Sequence, residues 1–316
     1  MGAQKQTNTF QPSYLKLHQE GKLSQRIEAL WAKLGSCDIC PHKCEFNRLQ
    51  DQKGICQTGK KAKVASFGPH FGEESPLVGR YGSGTIFFAH CNLGCIFCQN
   101  YDISHLGEGY PVDEGKIAEI MLSLQNLGCH NINFVTPTHV VPQIVKALPF
   151  AIDQGLNVPL VYNTGGYDSV DTLKLLDGIF DIYMPDLKYS DDKIGQRYCS
   201  AKNYSKIARQ AIKMMYKQVG DLVIDDRGIA QRGLLIRHLI LPEDLAGTYQ
   251  AMKFIAEEIS PNTYVNLMDQ YRPCFKANDY PPLDRRITQE EFIRAVKIAW
   301  DFGIKRLDGF RGFRLF

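Results

Sequence analysis

The chain is 316 residues long, 44% hydrophobic and 22% charged, with a net charge of +3, a balance typical of soluble globular proteins and too weakly basic to argue for nucleic acid or membranes as partners. No apolar run reaches membrane-spanning length, and residues 1–11 lack the apolar core of a signal peptide. Ten cysteines in such a chain point to reduced thiols used for metal or redox chemistry, which predicts a cytoplasmic protein.

Residues 1–13 are polar and without period, and read as a disordered tail. From Tyr14 to Leu34, apolar residues at spacings of three and four (Leu23, Ile27, Leu30, Leu34) predict a helix that Gly35 ends. A first cysteine group follows: Cys37, Cys40, Cys44 and Cys56. It lies in a loop-rich stretch too irregular to bury much core, and such segments are usually held by a metal. Residues 14–79 are therefore assigned as an N-terminal helix and a cysteine-rich metal-binding segment. Zinc and a second iron–sulfur cluster both suit four sulfurs, and the spacing does not choose. Residues 60–83, rich in Gly and Pro, read as a linker able to form a hairpin or cover a barrel mouth.

From residue 84, short apolar runs alternate with amphipathic segments. Strands are expected at 85–89, 131–135, 158–162, 179–184, 234–240 and 263–267. Helices are expected at 113–127, 140–154, 168–176, 201–218, 246–259 and 288–302. Asp113 is the cap of one helix, and Thr288 with Glu291 forms a capping box on another. Residues 219–233 read as a hairpin excursion. Strand–helix units join by right-handed crossovers, so the fold class is α/β, a partial (β/α)6 TIM-like barrel over about residues 80–275. Residues 276–316 are a C-terminal helix and a tail of alternating aromatic and basic residues, expected to pack on the barrel, the tail at its base.

In such folds, function belongs at the C-terminal ends of the strands. After the first strand come Cys91, Cys95 and Cys98. Three neighbouring loop thiols cannot pair off as disulfides and read as a metal-ligand cluster. Phe97 lies beside the last of them. After the second strand, Thr136-Pro137-Thr138-His139 opens a helix whose N-terminus favours an anion, although Thr138 is equally a plain N-cap. After the third comes Asn163-Thr164-Gly165-Gly166, where glycines admit a close backbone approach. The fourth ends in Asp186-Leu187-Lys188, either an ion pair or a lysine that grips a ligand carboxylate. In the fifth, Arg237 and His238 point to opposite faces, and a buried arginine needs an anionic partner. The sixth ends near Asn266. Cys129, Cys199 and Cys274 are scattered and read as small buried hydrophobes.

The spacing Cys91-x3-Cys95-x2-Cys98 with Phe97, and the strand end Asp186-Leu187-Lys188, resemble the radical S-adenosylmethionine (SAM) enzymes. The likeness is strongest to the branch around the pyruvate formate-lyase activating enzymes. The N-terminal Cys-Pro-His-x-Cys stretch resembles an activase-related subgroup. The resemblance implies that Cys91, Cys95 and Cys98 hold three irons of a 4Fe–4S cluster whose open fourth iron takes SAM. It implies that Phe97, Thr136, Thr138, Asn163, Asp186, Lys188 and Arg237 border the bound SAM. The implied activity is that of an oxidoreductase. SAM is cleaved reductively to methionine and a 5′-deoxyadenosyl radical, which takes hydrogen from a substrate. A low-potential electron donor such as flavodoxin or ferredoxin is implied as a partner. The substrate is a glycine of a partner protein or, alternatively, a small molecule or peptide. A non-catalytic electron carrier or zinc-held interaction module is the alternative from another class. No side chain is required as an acid or base. One departure stands out: the family's Gly-Gly-Glu contact to the SAM amino group is absent, and Thr136 and Thr138 occupy its place.

Overall fold

The structure is a computed structural model and describes residues 10–309. Residues 1–9 of the expected disordered tail 1–13 and the aromatic–basic end beyond residue 309 lie outside the described residues, and Ser13 already begins a helix.

Two helices, α1 (Ser13–Gln19) and α2 (Lys22–Ala32), open the chain. The single helix expected here is broken at Gly21, whose φ of 69° lies in the left-handed region. The cysteine-rich loop follows, then β1 (Ala62–His70), α3 (Ser75–Val78), β2 (Ser83–Phe88), α4 (Tyr101–Ser104) and β3 (Tyr110–Val112). Within 60–83, read as a linker able to form a hairpin, β1 folds back onto β2. That strand pairs antiparallel with both β2 and β3, satisfying backbone groups that an open linker would leave to water.

The alternating pattern then proceeds as α5 (Glu114–Asn126), β4 (Ile132–Val135), α6 (Val141–Ile152), β5 (Leu160–Thr164), α7 (Val170–Leu175) and β6 (Ile182–Pro185). Next come α8 (Asp192–Tyr198), α9 (Tyr204–Val219), the hairpin strand β7 (Val223–Ile224) and β8 (Ala230–Leu239). The described chain ends with α10 (Thr248–Phe254), β9 (Tyr264–Met268) and α11 (Gln289–Asp301). The helix starts follow the expected caps. Asp113 accepts from the Lys116 amide at 2.8 Å, and Thr288 and Glu291 exchange both capping-box bonds.

Six strands run parallel in the order β2-β4-β5-β6-β8-β9. Among the described residues no ladder joins β9 back to β2, so the barrel is partial, as the sequence predicts. The two-residue period of each strand sorts its side chains. Ile86, Phe134, Tyr162, Tyr183 and Ile236 face the helices in the main core. Val161, Ile182, Met184, Leu235 and Tyr264 face the lumen, where Leu77 of α3 joins them. The loop carrying α3 thus fills the open seam. Asn131 Nδ2 donates to the Leu77 carbonyl at 2.9 Å, and Asn266 Nδ2 of β9 donates to Glu74 Oε1 at 2.9 Å.

The N-terminal helices attach beneath β5 and β6. Tyr14 Oη donates to the Val158 carbonyl, and the Ser13 amide donates to Asp181 Oδ1, both at 2.9 Å. Burial pushes the Asp181 carboxyl up to about 6, against the amide and hydroxyl of Ser13, which favour the anion. A carboxyl raised in the folded state keeps its proton longer there than in the unfolded chain. Its contribution to stability is therefore full below about pH 4, falls as pH rises to about 6, and is constant above. We expect Asp181→Asn to remove up to about 3 kcal/mol of that decline. Urea unfolding of variant and wild type from pH 4 to 7 checks this; parallel stability curves contradict it.

Candidate active site

β2 delivers the chain to the loop that carries Cys91, Cys95 and Cys98. All three thiols border one chamber of about 180 Å³ at the C-terminal ends of the strands. The loop is held from several sides. The Ser200 amide donates to the Leu93 carbonyl at 2.7 Å and the Ile96 amide to the Tyr198 carbonyl at 3.0 Å. Asn92 Nδ2 donates to the Tyr167 carbonyl at 2.9 Å, and Ser104 Oγ donates to Cys98 Sγ at 3.1 Å. Gly166 is needed at the turn after β5, because its φ of 81° is left-handed and a Cβ there would lie 2.3 Å from the Asp186 carbonyl oxygen. Burial pushes the metal-free Cys91 thiol up to about 12.

Thr136, Asn163, Asp186, Lys188 and Arg237 border the same chamber. Asp186 lies between Arg237 Nε at 2.7 Å and Lys188 Nζ at 2.6 Å, while Arg237 Nη2 donates to Asn163 Oδ1 at 2.7 Å. Burial alone would raise the Asp186 carboxyl, but Arg237 and Lys188 outweigh it and hold the group below the usual range. Burial alone would lower Lys188 and Arg237, and Asp186 holds both up. Lys188 is therefore an ion-pair partner that still faces the chamber. Arg237 takes the inward face of β8. His238 takes the outward one, bonded to the Leu187 carbonyl at 2.7 Å and to Thr248 Oγ1 at 3.1 Å.

Two expected residues lie off the chamber wall. Phe97 does not border the chamber; it is buried edge-on against Tyr189 and Tyr271. Thr138 is turned away, with its hydroxyl donating to Asp168 Oδ1 at 2.7 Å in a buried group with Tyr162 and Thr164. Thr136 remains on the wall, held at a left-handed φ of 59°.

Other groups have no signature in the sequence. Cys199, read as a scattered buried thiol, lies with its Sγ 2.7 Å from Cys95 Sγ and 3.5 Å from Tyr189 Oη. It stands 104 positions from Cys95 in the chain, and no local pattern relates the two. A second cavity of about 890 Å³ shares Phe87, Asn100, Val135, Asn163 and Arg237 with the chamber. Glu74 and Asn266 form part of its wall, and Phe292, Val296 and Trp300 of α11 form another. Helix α11 thus borders the barrel mouth.

Three thiols on one wall are the donor type and number that hold three irons of an iron–sulfur cubane and leave a fourth open.

The Asp186 carboxylate is the shared counter-charge of two part-buried cations, and removing it strips Lys188 of its partner and leaves Arg237 only Glu74, at 4.0 Å. We expect Asp186→Ala to cost about 3–5 kcal/mol in urea unfolding. A loss below about 1 kcal/mol, the range of exposed ion pairs, contradicts this reading.

Residues 85–224 match the model of the radical SAM superfamily. Over 292 residues the chain is 33% identical to an uncharacterized protein of Methanocaldococcus jannaschii, covering 89% of this chain and 79% of that one. Solved structures with similarity include TYW1 with a lysine–pyruvate adduct bound, at 11% identity and TM-score 0.43, over 69% of this chain and 73% of that one. They also include HydG, a maturase of the FeFe-hydrogenase, at 12% identity and TM-score 0.49, over 71% and 49%. A third is native anSMEcpe with bound AdoMet, at 12% identity and TM-score 0.44, over 68% and 57%. The cysteine loop after β2 falls within the matched span, so the radical SAM match covers the part of the chain that carries the three thiols.

Proposed function

We propose that this protein is a radical SAM enzyme of the oxidoreductase type. It holds a 4Fe–4S cluster on Cys91, Cys95 and Cys98 and takes hydrogen from a substrate seated in the 890 Å³ cavity. The observation that carries this reading is the wall shared by the three-thiol chamber and that cavity. When bound, the cluster and SAM supply one-electron cleavage to methionine and a 5′-deoxyadenosyl radical.

The chain's own residues then bind, orient and exclude water. Lys188 Nζ offers donors to a carboxylate, and Asp186 and the Thr136 hydroxyl offer acceptors to an amine. Both chemistries suit the methionine end of SAM. Phe87, Phe88, Val135 and Ile103 make the chamber wall partly apolar, which keeps water from a reactive radical. An outside one-electron donor of the flavodoxin or ferredoxin type is required. A cavity of 890 Å³ lies in the range of about 300–1,000 Å³ seen for small ligands. That size supports a small molecule or short peptide as substrate. The glycyl-radical activase reading rests on the family resemblance.

Anaerobic reconstitution with iron and sulfide, followed by SAM and dithionite, is expected to yield 5′-deoxyadenosine. Cys95→Ala is expected to abolish it. No product from an iron-loaded wild type refutes the proposal. Adding a candidate partner protein and recording its electron paramagnetic resonance spectrum separates the activase reading from the small-molecule one.

With Cys95 acting as a thiolate ligand, the neighbouring Cys199 thiol is the donor of their contact. Hydrogen bonds to ligand sulfur raise cluster potentials. Cys199→Ala is expected to lower the midpoint potential, and Cys199→Ser to hold it near the wild-type value. An unmoved potential in the alanine variant rules out this role.

A further inference from the structure

The 890 Å³ cavity has walls of two kinds. One side is apolar, with Phe292, Val296 and Trp300 of α11. The other is acidic. Glu73 and Glu74 enter from the loop before α3, Asp269 follows β9, and Asp308 lies near the end of the described chain.

Positive charge on the wall does not match these carboxylates. Arg237 is the one lysine or arginine on it among the described residues, and its guanidinium lies 2.7 Å from Asp186 and 4.0 Å from Glu74. His70 Nδ1 stands 2.9 Å from Glu73 Oε1. Asp308 Oδ1 accepts from neutral donors, the Tyr264 hydroxyl at 2.7 Å and the Ser75 amide at 3.2 Å. Four carboxylates thus share a guanidinium that is already committed to a fifth, Asp186.

One oxygen on the acidic wall is left over. Glu74 is 4% exposed, and its Oε1 accepts from Asn266 Nδ2 at 2.9 Å. Its Oε2 is buried with no hydrogen-bond partner among the described residues. A buried carboxylate oxygen without a donor is costly and calls for an explanation. Burial pushes the Glu74 carboxyl up, Glu73 adds to the rise, and Arg237 and Asn266 only partly offset it. The carboxylate form therefore calls for more positive charge than the protein places beside it.

We infer that the substrate of this cavity carries a positively charged nitrogen, an ammonium or a guanidinium, on an apolar body. This rests on the proposed function, which seats the substrate here, and adds its chemical class. Such a group brings several N–H donors and no acceptor, which is what Glu74 Oε2 and its acidic neighbours lack. Charge-assisted bonds of that kind are the strong ones. The α11 wall matches the apolar body, and the Trp300 ring offers a face that attracts a cation. An anionic substrate would meet four carboxylates in one cleft and be repelled.

The test reads charge preference in the cavity and needs no turnover. The chain has two tryptophans, and Trp31→Phe leaves Trp300 as the sole indole reporter. In that background, protein reconstituted with iron and sulfide but not reduced is titrated with three nitroxide quenchers that share one apolar ring. These are 4-amino-TEMPO, a cation, 4-hydroxy-TEMPO, which is neutral, and 4-carboxy-TEMPO, an anion. At low salt the cation is expected to quench Trp300 at least about threefold more strongly than the anion, with the neutral probe between them. In Glu73→Gln/Glu74→Gln that ratio is expected to fall by at least about half. Equal quenching by cation and anion in the parent overturns the inference, and so does a ratio that the variant leaves unchanged. Should the variant fail to fold by circular dichroism, Glu73→Gln/Asp269→Asn takes its place under the same criterion. Formation of 5′-deoxyadenosine is scored separately. A cation preference in a protein that cleaves no SAM supports the ligand class and removes the radical reading, whereas cleavage without the preference does the reverse.

Discussion

One buried carboxylate organises the mouth of this barrel. Asp186 ends β6 and is flanked at hydrogen-bond distance by Arg237 of β8 and by Lys188, while Arg237 also reaches Asn163 of β5. Three adjacent strand ends are thereby locked to each other by charge-assisted hydrogen bonds, which are shorter and stronger than neutral ones. Each of these charges would be costly to bury alone, so the group stands or falls together. The same side chains form the wall opposite the three thiols. A structural interaction and a candidate SAM-binding surface are thus one set of atoms.

The open seam of the barrel is the second constraint. A parallel sheet that fails to close exposes a lumen that must be filled and an edge that must be covered. Here the loop around α3 does both, with Leu77 in the lumen core and Glu74 hydrogen-bonded to Asn266 of β9. That arrangement brings Glu73 and Glu74 to the 890 Å³ cavity, although they lie in sequence before the first barrel strand. The antiparallel strand β1 covers the outer edge of β2, and β3 covers β1.

The two cysteine groups are separate along the chain and adjacent in the fold. His42 and His139 reach from the small N-terminal segment and from the barrel to the same stretch around Cys91. His139 is buried, and that burial, slightly offset by its bond to the Ala89 carbonyl, depresses its pKa to about 3. It therefore acts here as a neutral group, an N–H donor on one side and a lone pair on the other. The position of the three-thiol loop is in this way tied to the packing of the four-cysteine segment.

Periodicity and cap chemistry by themselves determined the six parallel strands, their helices and the three thiols at the first strand end. Those signals are local, and each is written within a dozen residues. The two-residue period also implied that Arg237 and His238 would part to opposite faces. The tertiary structure alone decided that Arg237 is the inward one, since only the neighbouring Asp186 and Asn163 distinguish the faces. It alone decided that Phe97 and Thr138 turn into packing, that β1 pairs with both β2 and β3, and that Cys199 meets Cys95. Contacts between residues far apart in the chain depend on the twist and packing of whole elements, and no short window of sequence records them. The three-thiol loop was legible because its cysteines are neighbours. The wall that faces it was assembled by the barrel.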